Sequence, residues 1–354
     1  MADKAISAEG VAEKDRLNED NLDAWMREHV EGFAGLAAYT KFSGGQSNPT
    51  YRIEDEAGRA LVLRRKPFGD LLPSAHAVDR EFRAIAGLHP TGFPVAKPYA
   101  LCEDDAVIGS AFYIMEMVEG RTFWDGMLPE CDTAERTSIY RSMVGTLARL
   151  HNLDYIEIGL EGHGKPGNYF ERQIATWTKQ YRRAQTDEIE EVEHLIDYLA
   201  RTVPEQTRTS VIHGDYRIDN MIYATDRPEV IAVLDWELST TGDPLADFAY
   251  LAMNWVMPGE GTASLGSFDL SGTGILTLEE MTALYCELTE RDTVPDLNWY
   301  FAYNLFRLTG ILQGIKKRWL DGTASSPEAE ERAKRVPELA KSAWGFAQAA
   351  GAKA

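Results

Sequence analysis

The stretch Val211 to Glu237, VIHGDYRIDNMIYATDRPEVIAVLDWE, constrains this chain more than any other. It reads as two short apolar strands, VIH and VIAVLD, each delivering polar residues at its end. The loop between them carries Asp215 and, five positions on, Asn220, and the second strand ends in Asp235. A fold that builds these strands brings three short polar side chains to strand ends, where they can converge on a ligand. A hairpin with solvated turn carboxylates is the bland alternative, and it leaves the order of these residues unexplained.

Phosphoryl transfer needs parts of this kind: a carboxylate to orient or deprotonate the attacking hydroxyl, and oxygen ligands for the magnesium that bridges the nucleotide phosphates. Protein kinases space a base Asp and a metal-binding Asn by five residues, then place a metal-binding Asp at the end of a following strand. His213, Asp215, Asn220 and Asp235 keep that order and spacing. Gly214 stands where the protein kinase loop has Arg, and Asp235-Trp236-Glu237 where it has Asp-Phe-Gly. Followed by Gly242-Asp243-Pro244 and Asp247, this HGDxxxxN…LDWE form resembles the aminoglycoside phosphotransferase and choline kinase-like family of small-molecule kinases.

That resemblance implies an α+β, protein kinase-like bilobal fold. Residues 1–115 would form a small antiparallel-sheet N-lobe, 116–121 a hinge, and 122–354 a larger, mostly helical C-lobe with the catalytic loop and acceptor site. The implied roles are Asp215 as catalytic base, Asn220 and Asp235 as magnesium ligands, and Asp247 as the residue that holds the catalytic loop through backbone N–H groups. His213 and His151 take structural places beside that loop. ATP and magnesium are the implied cofactors.

The residues upstream supply what such a centre requires. Two apolar runs, AAYTKFS and TYRIE, flank Gly44, Gly45, Gln46, Ser47 and Asn48. Glycine lets backbone N–H groups approach phosphate oxygens closely, and in the family this loop covers the nucleotide. The strand ALVLRR ends in Arg64, in the place of the kinase phosphate-binding Lys. An arginine there is a bidentate phosphate ligand rather than a point charge. A register one residue off would exchange it with Arg65, which points to the opposite sheet face. His76 to Leu88 reads as a helix carrying Glu81, where the kinase αC glutamate orients the phosphate-binding cation. Glu116 and Val118, in the run MEMVEG, fall at the hinge whose backbone reads the adenine edge.

Beyond the hinge the periodicity turns helical, with Asp132 and Glu135 as a capping box for a helix reaching His151. A glycine-rich loop and helix over Gly159 to Tyr181, the glycine-rich stretch from Pro258 to Gly274, and three C-terminal helical segments are expected to shape the acceptor site. The last of these include Trp299 to Trp319, with Phe301, Leu305, Leu308 and Leu312 near one face.

Composition narrows the partners. A net charge of −20 argues against a broad nucleic-acid or anionic-membrane surface. No run approaches the roughly 18 apolar residues that cross a bilayer, and the N-terminus lacks a basic start followed by an apolar run, so a cytoplasmic protein is expected. Cys102, Cys131 and Cys286 lie far apart and outside any CxxC arrangement, which indicates free thiols.

The expected function is transfer of the γ-phosphoryl group of ATP to the hydroxyl of a small molecule. The phrases GGQSNPTY, LPSAHAVDREF, GKPGNYFERQI and LDWELSTTGDPLADFAY look closest to the kinase-like domains fused to, or encoded near, acyl-CoA dehydrogenases. That similarity implies a hydroxyacyl-CoA or related hydroxy acid as acceptor and a functional association with an acyl-CoA dehydrogenase. The alternatives are an aminoglycoside-type or other small-alcohol kinase, and a kinase-fold nucleotide-binding module without catalysis. Lys316, Lys317 and Arg318 offer a basic patch for a CoA acceptor.

Overall fold

The computed structural model describes residues 6–7, 13–42, 48–67, 77–259, 262–324 and 328–353. Along the chain, a two-residue strand β1 (Ile6–Ser7) precedes α1 (Glu19–His29), whose first turn is capped by the Asn18 side chain accepting the Asn21 N–H. Then come β2 (Leu36–Lys41), β3 (Thr50–Asp55), β4 (Ala60–Arg65), α2 (Val78–Leu88) and β5 (Pro98–Cys102). The Asp104-Asp105 pair opens a one-turn helix α3 (Asp105–Ile108), because Asp104 caps the Ala106 N–H. β6 (Phe112–Glu116) completes an antiparallel sheet of order β1-β2-β3-β4-β6-β5.

The helical part begins with α4 (Thr133–Asn152), where the Asp132 side chain accepts the Glu135 N–H. α5 (Tyr169–Ala184), α6 (Glu190–Arg201) and β7 (Ser210–Ile212) follow. Next are β8 (Met221–Tyr223), β9 (Val230–Val233) and β10 (Thr240–Gly242). The two strands anticipated around the catalytic loop do not pair with each other. β7 pairs with β10 and β9 with β8, in two separate antiparallel ladders. The chain ends with α7 (Leu245–Ala252), α8 (Leu278–Leu288), α9 (Leu297–Leu320), α10 (Ala329–Lys334) and α11 (Val336–Ala349). Four helices therefore stand among the described residues where three segments were expected. The fourth is the short α10, separated by Arg335 alone from Val336 and Pro337, which open α11.

The described residues fall into two compact units. One comprises those of 1–123, 154–163 and 218–239; the other those of 124–153, 164–217 and 240–354. In the first, the two-residue period of β4 sends Leu61, Leu63 and Arg65 to one sheet face and Val62 and Arg64 to the other. Leu61 and Leu63 join Leu22 and Met26 of α1, Ile53, Phe112 and Ile114 in one buried cluster. On α2, Val78, Glu81, Ala84, Ile85 and Leu88 are buried, a helical stripe containing one carboxylate. The segment after β6 bridges Arg121 to Tyr223 of β8. A Cβ on the preceding Gly120 would stand 2.3 Å from the Tyr223 carbonyl oxygen, so only glycine allows that approach.

In the second unit α9 is the central element, packed by α5, α7, α10 and α11. That explains why its burial departs from a single stripe. Phe301 and Leu305 are buried, but so are Trp299, Tyr300, Tyr303, Phe306, Thr309 and Gln313, whereas Leu308 and Leu312 are only partly covered. The stretch from Pro258 to Gly274 carries no described helix or strand, yet the Leu265 N–H donates to the Asn254 carbonyl at 2.7 Å and the Leu265 side chain is buried. No described helix is long and apolar enough to cross a membrane.

Candidate active site

In the first unit the sequence-predicted residues meet around Arg64. Its Nε lies 2.8 Å from Glu81 Oε2, its Nη2 lies 2.7 Å from Asp235 Oδ1, and Glu237 stands 3.7 Å away. Glu81 is fixed further: Asn48 Nδ2 donates to its Oε1 at 2.5 Å and the Tyr113 hydroxyl to its Oε2 at 3.0 Å. Three carboxylates thus converge on one guanidinium. Burial opposes the charge on Arg64, but Glu81, Tyr113, Asp235 and Glu237 hold its pKa above the ordinary value. Burial pushes Glu81 up to about 7, against the pull of Arg64 and Tyr113. Arg65 points the other way, fully buried, with its Nε donating to the Tyr51 hydroxyl and its Nη2 3.2 Å from Asp15.

Asn220 and Asp235 are drawn together by the backbone, since the Leu234 N–H donates to the Asn220 carbonyl at 2.8 Å. Asp235 itself has φ 65 and ψ 61, a left-handed conformation that non-glycine residues rarely adopt. α2 is tied to the segment that follows: Arg80 Nη2 donates to the carbonyls of His163 at 2.9 Å and Ser239 at 3.0 Å. Glu116 ends β6, exposed, with its N–H donating to the Lys97 carbonyl, and Val118 follows half-buried. Of the phosphate-covering loop, Gly44, Gly45, Gln46 and Ser47 lie outside the described residues.

The second unit builds the first part of the loop expected from the sequence to be catalytic, His213 to Arg217. Gly214 takes φ 87, and the Asp247 carboxylate accepts the N–H groups of both His213 and Gly214, the latter at 2.7 Å. Asp247 is fully buried; burial would raise its pKa, but His151 and His213 hold it below the usual carboxylate range. His151 Nδ1 sits 2.7 Å from the Tyr285 hydroxyl, and burial keeps its imidazole below its ordinary pKa. His213 is buried, and its Nδ1 accepts the Asp215 N–H at 3.2 Å. Asp215 lies 3.4 Å from Arg217 Nε.

Sequence reasoning missed four neighbours of this loop. Arg307 of α9 donates from Nη2 to the Gly214 carbonyl at 3.0 Å, and its guanidinium rests over the rings of Tyr250 and Trp177. Arg217 is the fourth. The one available signal for Arg307 was a lone basic residue in the apolar middle of a long helix. The patch Lys316 to Arg318 is partly spoken for, since Lys316 pairs with Asp187 and Lys317 with Asp321 at 2.8 Å.

An antiparallel sheet with an arginine paired to a helix glutamate, and a helical unit whose HGD loop hangs from a buried aspartate, define a kinase-like phosphotransferase fold. Comparison with known proteins agrees. The sequence model described as "Phosphotransferase enzyme family" matches residues 38–282. A crystal structure from Ralstonia eutropha JMP134, described provisionally as an aminoglycoside phosphotransferase, is 45% identical, with a TM-score of 0.86 over 94% of this chain and 99% of that one. A thermostable mutant of aminoglycoside phosphotransferase APH(4)-Ia, in ternary complex with ADP and hygromycin B, has a TM-score of 0.60 at 15% identity, covering 94% and 100% of the two chains. Acyl-CoA dehydrogenase family member 10 of Mus musculus is 44% identical over 88% of this chain. The chain spans only 29% of that relative and 44% of Acyl-CoA dehydrogenase family member 11 of Gallus gallus. The chain belongs to the phosphotransferase enzyme family.

Proposed function

We propose that this protein is an ATP- and magnesium-dependent kinase that phosphorylates a hydroxyl of a small molecule, with a hydroxyacyl-CoA or related hydroxy acid as acceptor. The observation that carries this reading is Arg64 held between Glu81 and Asp235. That arrangement presents a fixed cation for nucleotide phosphates beside a carboxylate suited to a metal.

The residues fit magnesium. Asp235 and Asn220 are hard oxygen donors on backbone segments joined by the bond from the Leu234 N–H to the Asn220 carbonyl, and three carboxylates around a single arginine leave a surplus of negative charge. Among the described residues no group of three or more His, Cys, Asp or Glu could hold a metal. Magnesium commonly takes one or two protein ligands plus substrate phosphates, a set that Asp235 and Asn220 could supply. When bound, the ion neutralises charge on the phosphates.

The rest is done by the chain. Arg64 binds phosphate oxygens, Glu81 orients Arg64, and the Gly44 to Asn48 loop covers them. The hinge 116–121, through the backbone at Glu116 and Val118, reads the adenine edge, between an N-lobe of 1–115 and a C-lobe of 122–354. Asp215 orients the acceptor hydroxyl and takes its proton. The hydroxyl oxygen bonds to the γ-phosphorus, the bond from that phosphorus to the β–γ bridging oxygen breaks, and ADP leaves. Asp247 keeps the loop in place throughout.

The kinship with acyl-CoA dehydrogenase family members, whose remaining length lies outside the matched region, supports an acyl acceptor and functional association with such a dehydrogenase. The kinship with aminoglycoside phosphotransferases supports the alternative acceptor. Acceptor-dependent ADP release, measured on hydroxyacyl-CoA, free hydroxy acid and aminoglycoside panels, separates them. Turnover confined to the aminoglycosides refutes the acyl assignment, and ADP release with none of them favours a non-catalytic nucleotide-binding module.

A further inference from the structure

α9 is buried nearly all round, yet one arginine stands in its middle. The Arg307 guanidinium lies 5.3 Å from the centre of the Tyr250 ring and 5.8 Å from that of Trp177. A guanidinium in contact with aromatic rings keeps its edges for in-plane hydrogen bonds. Arg307 has five N–H donors. Among the described residues its one hydrogen bond goes to the Gly214 carbonyl, and it makes no ion pair. Arg64 and Arg65, by contrast, are each engaged by carboxylates. Burial works against the charge on Arg307, while Tyr303, Tyr250, Tyr169 and Asp215 preserve it. Arg307 is half-buried, with the Asp215 charge nearby but no described carboxylate in ion-pair contact, so its remaining N–H donors are placed to meet an anion.

We propose that Arg307, with its walls of Tyr250 and Trp177, is the acceptor's anchoring subsite, binding a carboxylate that the acceptor carries within a few bonds of the reacting hydroxyl. The proposal rests on the kinase reading of Asp215 and narrows its acceptor. Closeness follows from connectivity: Arg307 holds the residue immediately before Asp215, and consecutive Cα atoms are only about 3.8 Å apart. An anion on Arg307 and a hydroxyl on Asp215 therefore belong to one compact molecule. The phosphates of a CoA carrier, at the far end of a long arm, do not meet that condition, and a thioester carbonyl carries no charge. Arg217 places a second cation at 3.4 Å from Asp215, which further disfavours a polycationic acceptor. Arg307 is thus a specificity-determining residue, and the acceptor is a free hydroxy carboxylic acid.

The test is calorimetric titration of the full chain, without nucleotide, with the hydroxybutyrate isomers and with their methyl esters. Wild type is expected to bind at least one acid roughly tenfold or more tightly than its ester, in line with a charge-assisted hydrogen bond. Arg307→Met should lose that preference and Arg307→Lys keep part of it. Esters binding as well as acids, neither binding, or a Met variant that retains the preference would overturn the proposal. If the Met variant does not fold, the wild-type comparison and the Lys variant still decide. ADP release is followed in parallel: its absence alongside an intact carboxylate preference sinks the kinase reading alone, whereas phosphoryl transfer without that preference removes only the subsite.

Discussion

Arg64 is the residue whose surroundings say most about its work, because Glu81, Asp235 and Glu237 all reach toward it. Glu81 carries a pH signature. Burial raises it from 4.5 to about 7, so between these values the folded protein keeps a proton that the unfolded chain has lost. By linkage its contribution to stability declines as pH rises through that window and is fully lost above about 7. In Glu81→Gln the side chain is neutral throughout. The unfolding free energy of wild type minus that of the variant should therefore fall from pH 4.5 to 7 in urea titrations; a flat difference would show that Glu81 is ionised normally. At this scale legibility followed motif strength. Asp215, Asn220 and Asp235 stand at spacings that chemistry dictates, and Arg64 ends a strand whose alternation decides its face. Arg307 had no such frame: its role depends on tertiary contacts to Gly214, Tyr250 and Trp177, which lie far from it in the chain.

Among the elements, the turn after β9 stores backbone strain at Asp235, the residue proposed as a metal ligand. Asp235 sits at φ 65, a region that costs most L-residues about 1–2 kcal/mol but that Asn and Asp tolerate. Asp235→Val should therefore lower the unfolding free energy by about 1–2 kcal/mol more than Asp235→Asn does, although both remove the carboxylate from Arg64. Chemical denaturation of the two variants checks this, and equal losses would mean that the backbone there relaxes freely. The long strands and helices were readable because their periodicity runs over many residues. β8 and β10, of three residues each, are too short to show a period, so the pairing of β7 with β10 rather than with β9 had no sequence signature. α9 was legible as a helix but not as the central one, since a helix buried on nearly every side has no single apolar stripe to read.

For the whole molecule, two compact units are assembled from interleaved pieces of chain. Residues 154–163 and 218–239 group with the N-terminal part, so the stretch that opens at Val211 passes from one unit to the other after Arg217. A linear reading could name the residues of that stretch but not apportion them, because the division depends on contacts of β8 and β9 with distant segments such as Arg121 and Pro94. The net charge of −20 makes the local cations count for more, since the anionic nucleotide proposed as ligand would approach against the field of the whole protein. The central claim is that this chain is a phosphoryl-transfer enzyme whose base is Asp215. It is met most directly by comparing acceptor-dependent ADP release from MgATP in wild type and Asp215→Asn, with melting curves to show that both are folded. Unchanged stability and a loss in kcat on the order of 10² to 10⁴ are expected; near-full turnover by the folded Asn variant would contradict a role for Asp215 as base.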